Sequence, residues 1–186
     1  MNTRSDRIGR IVTGVLTEAL RVTGRAGISL TCAGSPEGRL LMAWCKSFLQ
    51  ASVRTSENLD DVPAGEWLAA NPANKSVLLL GRTFPSEPLL PLGDLYASQV
   101  RELTGGYNLP EEVHSLAGAA GGVDALDRAL QLHFEARFPA DQVVEQLPEP
   151  ARGPFLEAVQ AGRFWRERAG LIPKLGARTI GIDLLG

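Results

Sequence analysis

Two loops hold the residues whose types and spacing suit chemistry. The first is Arg82-Thr83-Phe84-Pro85-Ser86-Glu87, which combines a guanidinium, two hydroxyls and a carboxylate within six positions. An arginine there can grip a phosphate with two parallel hydrogen bonds. The second is Ala33-Gly34-Ser35-Pro36-Glu37-Gly38, rich in turn formers and leading into an apolar run. A loop of that kind at a helix N-terminus presents backbone N–H groups and a positive dipole end to an anion. Gly121-Gly122-Val123-Asp124 has similar letters. It follows Ala117-Gly118-Ala119-Ala120 and no apolar strand, so it reads as a turn with Asp124 capping the next helix.

The elements around these loops read as an alternation of strands and helices. Val77 to Leu80 is a four-residue apolar run ending at Gly81, the pattern of a strand buried on both faces. The Arg82–Glu87 loop would then lie at a strand's carboxyl end, where open α/β sheets bind ligands. Asp94 is a candidate N-cap for a helix with Leu95, Val100 and Leu103 inward. Gly27 to Cys32 reads as a second strand, followed by a helix from Leu40 to Leu49 with Trp44 and Phe48 on one face. Ile8, Ile11, Val12, Val15, Leu16, Ala19 and Leu20 predict an amphipathic helix from about Ser5 to Val22. Gln50 to Ala64 is polar, irregular or partly extended. Gly65 to Asn71 suggests one or two helical turns, ended at Asn71-Pro72. Short helices are expected from Pro110, from Ala125, over Pro139–Leu147 and over Pro154–Arg168.

Composition bounds the function. The chain has 186 residues, 44% hydrophobic and 22% charged, which suits one globular domain spanning 1–186. Nineteen basic and 21 acidic residues nearly cancel, with no basic stripe, so no nucleic-acid partner is expected. No apolar run approaches the ~20 residues needed to span a bilayer, and no membrane partner is expected. Cys32 and Cys45 fit no metal-ligand spacing and read as buried thiols. The N-terminal stretch is amphipathic and lacks an apolar signal core, so a cytoplasmic location is expected. His114 and His133 have no nearby acid cluster, and a packing role is expected for His133.

The central and C-terminal stretches carry a resemblance. Gly81 to Glu87 is similar to the Gly-Thr-x-Asn-x-Ser-Glu loop of ammonia-dependent NAD synthetases. Leu90-Pro91-Leu92-Gly93-Asp94-Leu95-Tyr96, followed by Gln99-Val100, resembles their Pro-Leu-Gly-Asp-Leu-Tyr-Lys-Thr-Gln-Val helix start. Leu109-Pro110-Glu111-Glu112-Val113 resembles Leu-Pro-Glu-Glu-Ile. Pro173, Lys174 and Arg178-Thr179-Ile180-Gly181 with Asp183 match the family's C-terminal pattern. The resemblance covers most of residues 77–183 and, in diluted form, 5–49.

It implies a doubly wound, mostly parallel α/β sheet with helices on both faces and a helix-rich C-terminal half. It implies an adenine nucleotide, ATP with magnesium, as ligand, and a homodimer as the assembly. The family's phosphate loop, Ser-Gly-Gly-x-Asp-Ser, falls at about Thr31 to Pro36. That alignment makes Thr31, Gly34 and Ser35 candidate nucleotide-binding residues, joined by Arg82, Thr83 and Lys174. Glu87 matches the glutamate that helps hold magnesium.

The chain also departs from the family. Cys32 and Ala33 stand where glycines belong, and Ser35 stands near the metal-binding aspartate. The nearest acid, Glu37, lies two positions late. A Thr-Lys-Tyr-Gly-Asp segment that helps bind the family's substrate has no counterpart. Three functions follow from this pattern. The first is a degenerate relative that no longer makes NAD. The second is an adenylating ligase with an altered loop. The third is a scaffold that binds no nucleotide. The tail at 171–183 is expected to be ordered and packed near the Arg82–Glu87 loop as a structural clasp.

Overall fold

The computed structural model describes residues 3–63, 65–80, 85–166 and 170–175. Helix α1 (Thr3–Thr23) leads into strand β1 (Gly27–Leu30), helix α2 (Pro36–Phe48) and strand β2 (Ser52–Thr55). A 3₁₀ turn at Leu59–Asp61 precedes strand β3 (Trp67–Ala70). The rest is helical: α3 (Lys75–Leu80), α4 (Ala97–Thr104), α5 (Glu111–Ala119), α6 (Val123–Leu130), α7 (Ala140–Val144) and α8 (Glu149–Arg166).

The three strands form a parallel sheet in the order β2-β1-β3. Gly27 of β1 pairs with Ser52 on one side and Trp67 on the other, and Leu30 pairs with Thr55 and Ala70. Every residue of β1 is buried, as a central parallel strand requires. The chain runs from β1 to one neighbour and then back past it to the other. That reversal makes β1/β3 the switch point of a doubly wound α/β sheet, the fold class expected from the sequence.

Two expectations about the sheet are overturned. Val77–Leu80 is not a strand but most of α3. Leu78, Leu79 and Leu80 are each no more than 1% exposed. A short run of uniformly apolar residues suits a helix buried all round as well as a buried strand, and periodicity does not separate the two. Asn74 decides it locally, since its Oδ1 accepts from the Val77 N–H at 3.2 Å and starts the helix. The third strand is instead Trp67–Ala70, where one or two helical turns were expected. Four residues are too few to show a period, and pairing with β1 outweighs local preference.

Beyond β3 the sheet continues as single-residue bridges, Ala70 to Leu89 and Leu89 to Leu171. The Leu171 N–H donates to Pro88 O at 2.8 Å, and the Leu90 N–H donates to Leu171 O at 2.9 Å. The tail thus covers what would be an open edge. Ile172 is 4% exposed and lies against Gly93, where any Cβ would come within 3.1 Å of it. Of the tail expected at 171–183, residues Leu171 and Ile172 pack against Pro88, Leu90 and Gly93. Residues 176–183, including Arg178, lie outside the described residues.

Two apolar clusters support this arrangement. One joins α1, α2 and the sheet through Val12, Leu16, Ile28, Leu30, Leu41 and Trp44. The other joins α3 to α5, α6, α7 and α8 around Leu79, Leu116, Leu126, Val143 and Phe155. Helix α8 begins five residues before Pro154, which lies inside it. Asp94 does not cap α4. The cap position is Tyr96, whose N–H donates to Gln99 Oε1 at 2.9 Å. Asp124 likewise sits inside the first turn of α6 and pairs with Arg101 at 2.8 Å. Gly121 and Gly122 turn the chain there with φ of 93° and 119°. Of the two free thiols, Cys45 is buried as expected, whereas Cys32 is exposed. Burial pushes the Cys45 thiol up to about 12.

Candidate functional site

The carboxyl ends of β1 and β3 open side by side at the switch point. Thr31 follows β1 and Asn71 follows β3, and the two loops are tied by a bond from Thr31 N–H to Ala70 O at 3.0 Å. Between them stands Glu87, only 7% exposed. Its Oε1 accepts from the Thr31 hydroxyl at 2.6 Å and from Asn71 Nδ2 at 3.1 Å. The structure therefore brings together two sequence candidates that lie 56 positions apart.

The loop after Thr31 is folded on itself. Cys32 takes a left-handed conformation, φ 50°, which costs energy for a residue with a side chain. Its carbonyl accepts from Ser35 N–H at 3.1 Å. Ser35 caps α2, its hydroxyl accepting from Gly38 N–H at 3.0 Å and its carbonyl from Arg39 N–H at 2.9 Å. Pro36, the first helical residue, has no N–H to offer. The Arg39 guanidinium donates to Gly34 O. Gly38 packs so closely that a Cβ would lie 2.5 Å from Cys32 O and 2.6 Å from Ala33 Cα.

A carboxylate occupies the inner side of this helix start. Glu37 is 2% exposed. Its Oε1 accepts from Asn74 Nδ2 at 3.0 Å and from the Asn108 N–H at 2.8 Å. Its Oε2 is buried and has no hydrogen-bond partner among the described residues. Glu37 thus stands in the first turn of α2, at the end of the helix where a phosphate would otherwise be drawn.

Beside Glu37 lies a cavity of about 320 Å³. Its polar lining includes Ser35, Asn71, Asn74 and Asn108, and its apolar lining includes Val77 and Pro110. None of the described lining residues is basic. Asn71 and Asn74 are fixed in place. Asn71 Oδ1 accepts from Ala73 N–H at 2.9 Å, while Asn74 is fully buried between Val77 and Glu37.

The other sequence candidates scatter. Gly34 is exposed and faces a separate depression lined by Thr55, Ser56 and Glu57. Lys174 is exposed on the tail. Arg82 and Thr83 lie outside the described residues. Asn71, Asn74 and Asn108 were not singled out in the sequence. The signal for the first two was present in Asn71-Pro72-Ala73-Asn74, whose short amides favour turns and helix caps.

The described residues do not by themselves complete a site for ATP with magnesium. Among the described residues, no group of three or more His, Cys, Asp or Glu side chains could hold a metal ion. Glu87 Oε1 already accepts two bonds, and Glu37 is held by Asn74 and Asn108. Magnesium binding requires several oxygen ligands in near-octahedral array. The α2 start offers few N–H groups to a triphosphate.

A second polar cluster lies deeper. Lys75, fully buried, pairs with Asp94 at 3.1 Å and with Glu135 at 2.9 Å. The Tyr96 hydroxyl also donates to Glu135 at 2.9 Å. Burial first, and then the Glu135 charge, push the Tyr96 phenol well above its ordinary value. Nearby, Ser76 donates to Asp127 Oδ1 at 2.6 Å, and the Ser98 N–H donates to Asp127 Oδ2 at 2.7 Å. These groups partner one another and join α3, α4 and α6.

No protein-family model matches this chain, and no curated protein matches it in sequence. Among solved structures, the glutamine-dependent NAD+ synthetase from Acinetobacter baumannii, in complex with adenosine diphosphate, aligns with 92% of this chain. The identity is 13% and the TM-score 0.36, a distant likeness. The chain spans 47% of that protein's length. Among the described residues, no helix is long and apolar enough to cross a membrane.

Proposed function

We propose that this chain is a degenerate NAD synthetase-like domain that has lost amide-ligase activity and keeps a small-molecule cavity at its switch point. One observation carries the reading. In the loop that would cradle phosphate, the Ser35 N–H donates to Cys32 O and the Gly38 N–H to the Ser35 hydroxyl, and Glu37 stands in the first turn of α2. Adenylation of a carboxylate requires ATP and magnesium held in line with it, and positioning and electrostatics supply most of that rate. A loop with a carboxylate in place of the cradle repels the triphosphate it would have to hold. The sequence resemblance over residues 77–183 supports common descent with the synthetases.

The cavity favours a binding role over a bare scaffold. It lies where doubly wound sheets take ligands, and its size falls in the range of small-molecule sites. Thermal shift with ATP and magnesium tests the reading. A ligand that binds only the native state adds about 2.7 kcal/mol at 100 times its Kd. No shift is expected with ATP and magnesium, and a saturable shift would contradict the lost cradle.

A further inference from the structure

We propose that the cavity beside Glu37 binds a small aliphatic primary ammonium ion, with the charged head on Glu37 Oε2. The inference rests on the same Glu37 geometry as the functional reading above, but its test is separate. Glu37 lines the cavity, its Oε2 is buried with no hydrogen-bond partner among the described residues, and its Oε1 is fixed by Asn74 and Asn108. A buried carboxylate oxygen without a donor costs free energy, and a donor-bearing cation relieves it.

The surroundings narrow the class. The amide oxygens of Asn71 and Asn74 already accept from Ala73 and Val77. No described lining residue is basic, so the described lining offers an anionic ligand no counter-charge. Pro72, Ala73, Val77, Pro85 and Pro110 supply apolar lining to the same cavity as Glu37. An alkyl chain buries against that lining, and a compact ammonium supplies donors at its head.

The test titrates full-length protein with n-butylammonium and, separately, with 1-butanol. The backbone amide resonance of Asn108, which donates to Glu37 Oε1, is the reporter. Butylammonium is expected to shift it saturably at millimolar concentration, and 1-butanol is expected to leave it in place. Glu37→Gln keeps the shape and an acceptor for Asn108, and is expected to weaken amine binding at least about tenfold. Equal binding of the alcohol, undiminished amine binding in Glu37→Gln, or no saturable shift would each overturn the proposal. If Glu37→Gln does not fold, the comparison of amine with alcohol on the unaltered protein decides. NAD production by the protein would overturn the functional reading and leave this titration interpretable.

Discussion

Lys75 Nζ stands 3.1 Å from Asp94 Oδ1, with both side chains wholly buried. The other oxygen of Asp94 accepts from the Leu175 N–H at 2.6 Å. One ion pair therefore joins the start of α3, the turn before α4 and the C-terminal tail. Burial of the pair is tolerated because Glu135 and the Tyr96 ring also contact the ammonium.

Removing one partner leaves an uncompensated buried charge, which costs about 3–5 kcal/mol. Asp94→Ala should lose stability on that scale, read as a lowered urea midpoint. It should also free the tail at Leu175. A variant within about 0.5 kcal/mol of the original would show that the pair is not structural.

The tail is expected to act as a clasp. Ile172→Ala should cost about 2–5 kcal/mol, the usual range for a buried isoleucine. Truncation before Leu171 should cost at least as much, because the Leu89 bridge is lost as well. Unchanged thermal stability after truncation would contradict the clasp.

Asp127 sets a pH dependence. Burial raises its carboxyl above the ordinary 3.8, against the lowering effect of Ser76 and Ser98. As pH rises past 3.8, the unfolded chain releases this proton first. Asp127 therefore contributes less stability as pH climbs from 3.8 through its raised native value. Asp127→Asn removes that titration. The stability of the original protein relative to the variant should fall across this window, measured by chemical unfolding at stepped pH. A difference that rises with pH would contradict the raised value.

Thr31→Val removes the hydroxyl that donates to Glu87 at 2.6 Å. A hydrogen bond to a charged group contributes about 1.5–3 kcal/mol. Chemical unfolding should show a loss of that order, since both groups are buried. A neutral effect would mean that Glu87 is held by Asn71 alone.

The sequence made the first half of the fold legible. Helix α1 was readable because a long amphipathic repeat carries its own signal. Strand β1 and the helix after it were placed too, although α2 begins at Pro36 and not at Leu40, because the Ser35-Pro36 cap was read as loop. The sheet edge was not legible. Val77–Leu80 and Trp67–Ala70 exchanged roles because short apolar segments take whichever state their partners dictate. The site was half legible. Ser35 and Glu87 stood out in their loops and Thr31 through the family resemblance, and Thr31 and Glu87 do meet. Glu37 was passed over as two positions late, yet its place in the first turn of α2 aims it at the cavity. Asn108 contributes only its backbone N–H there, which no side-chain pattern announces.

The proposed loss of amide formation at the loop after β1 can be measured directly. The most direct measurement is NAD production from deamido-NAD, ATP, magnesium and ammonia by the full-length protein. No NAD above the enzyme-free background is expected, with or without excess magnesium. Sustained NAD production over many turnovers would contradict it.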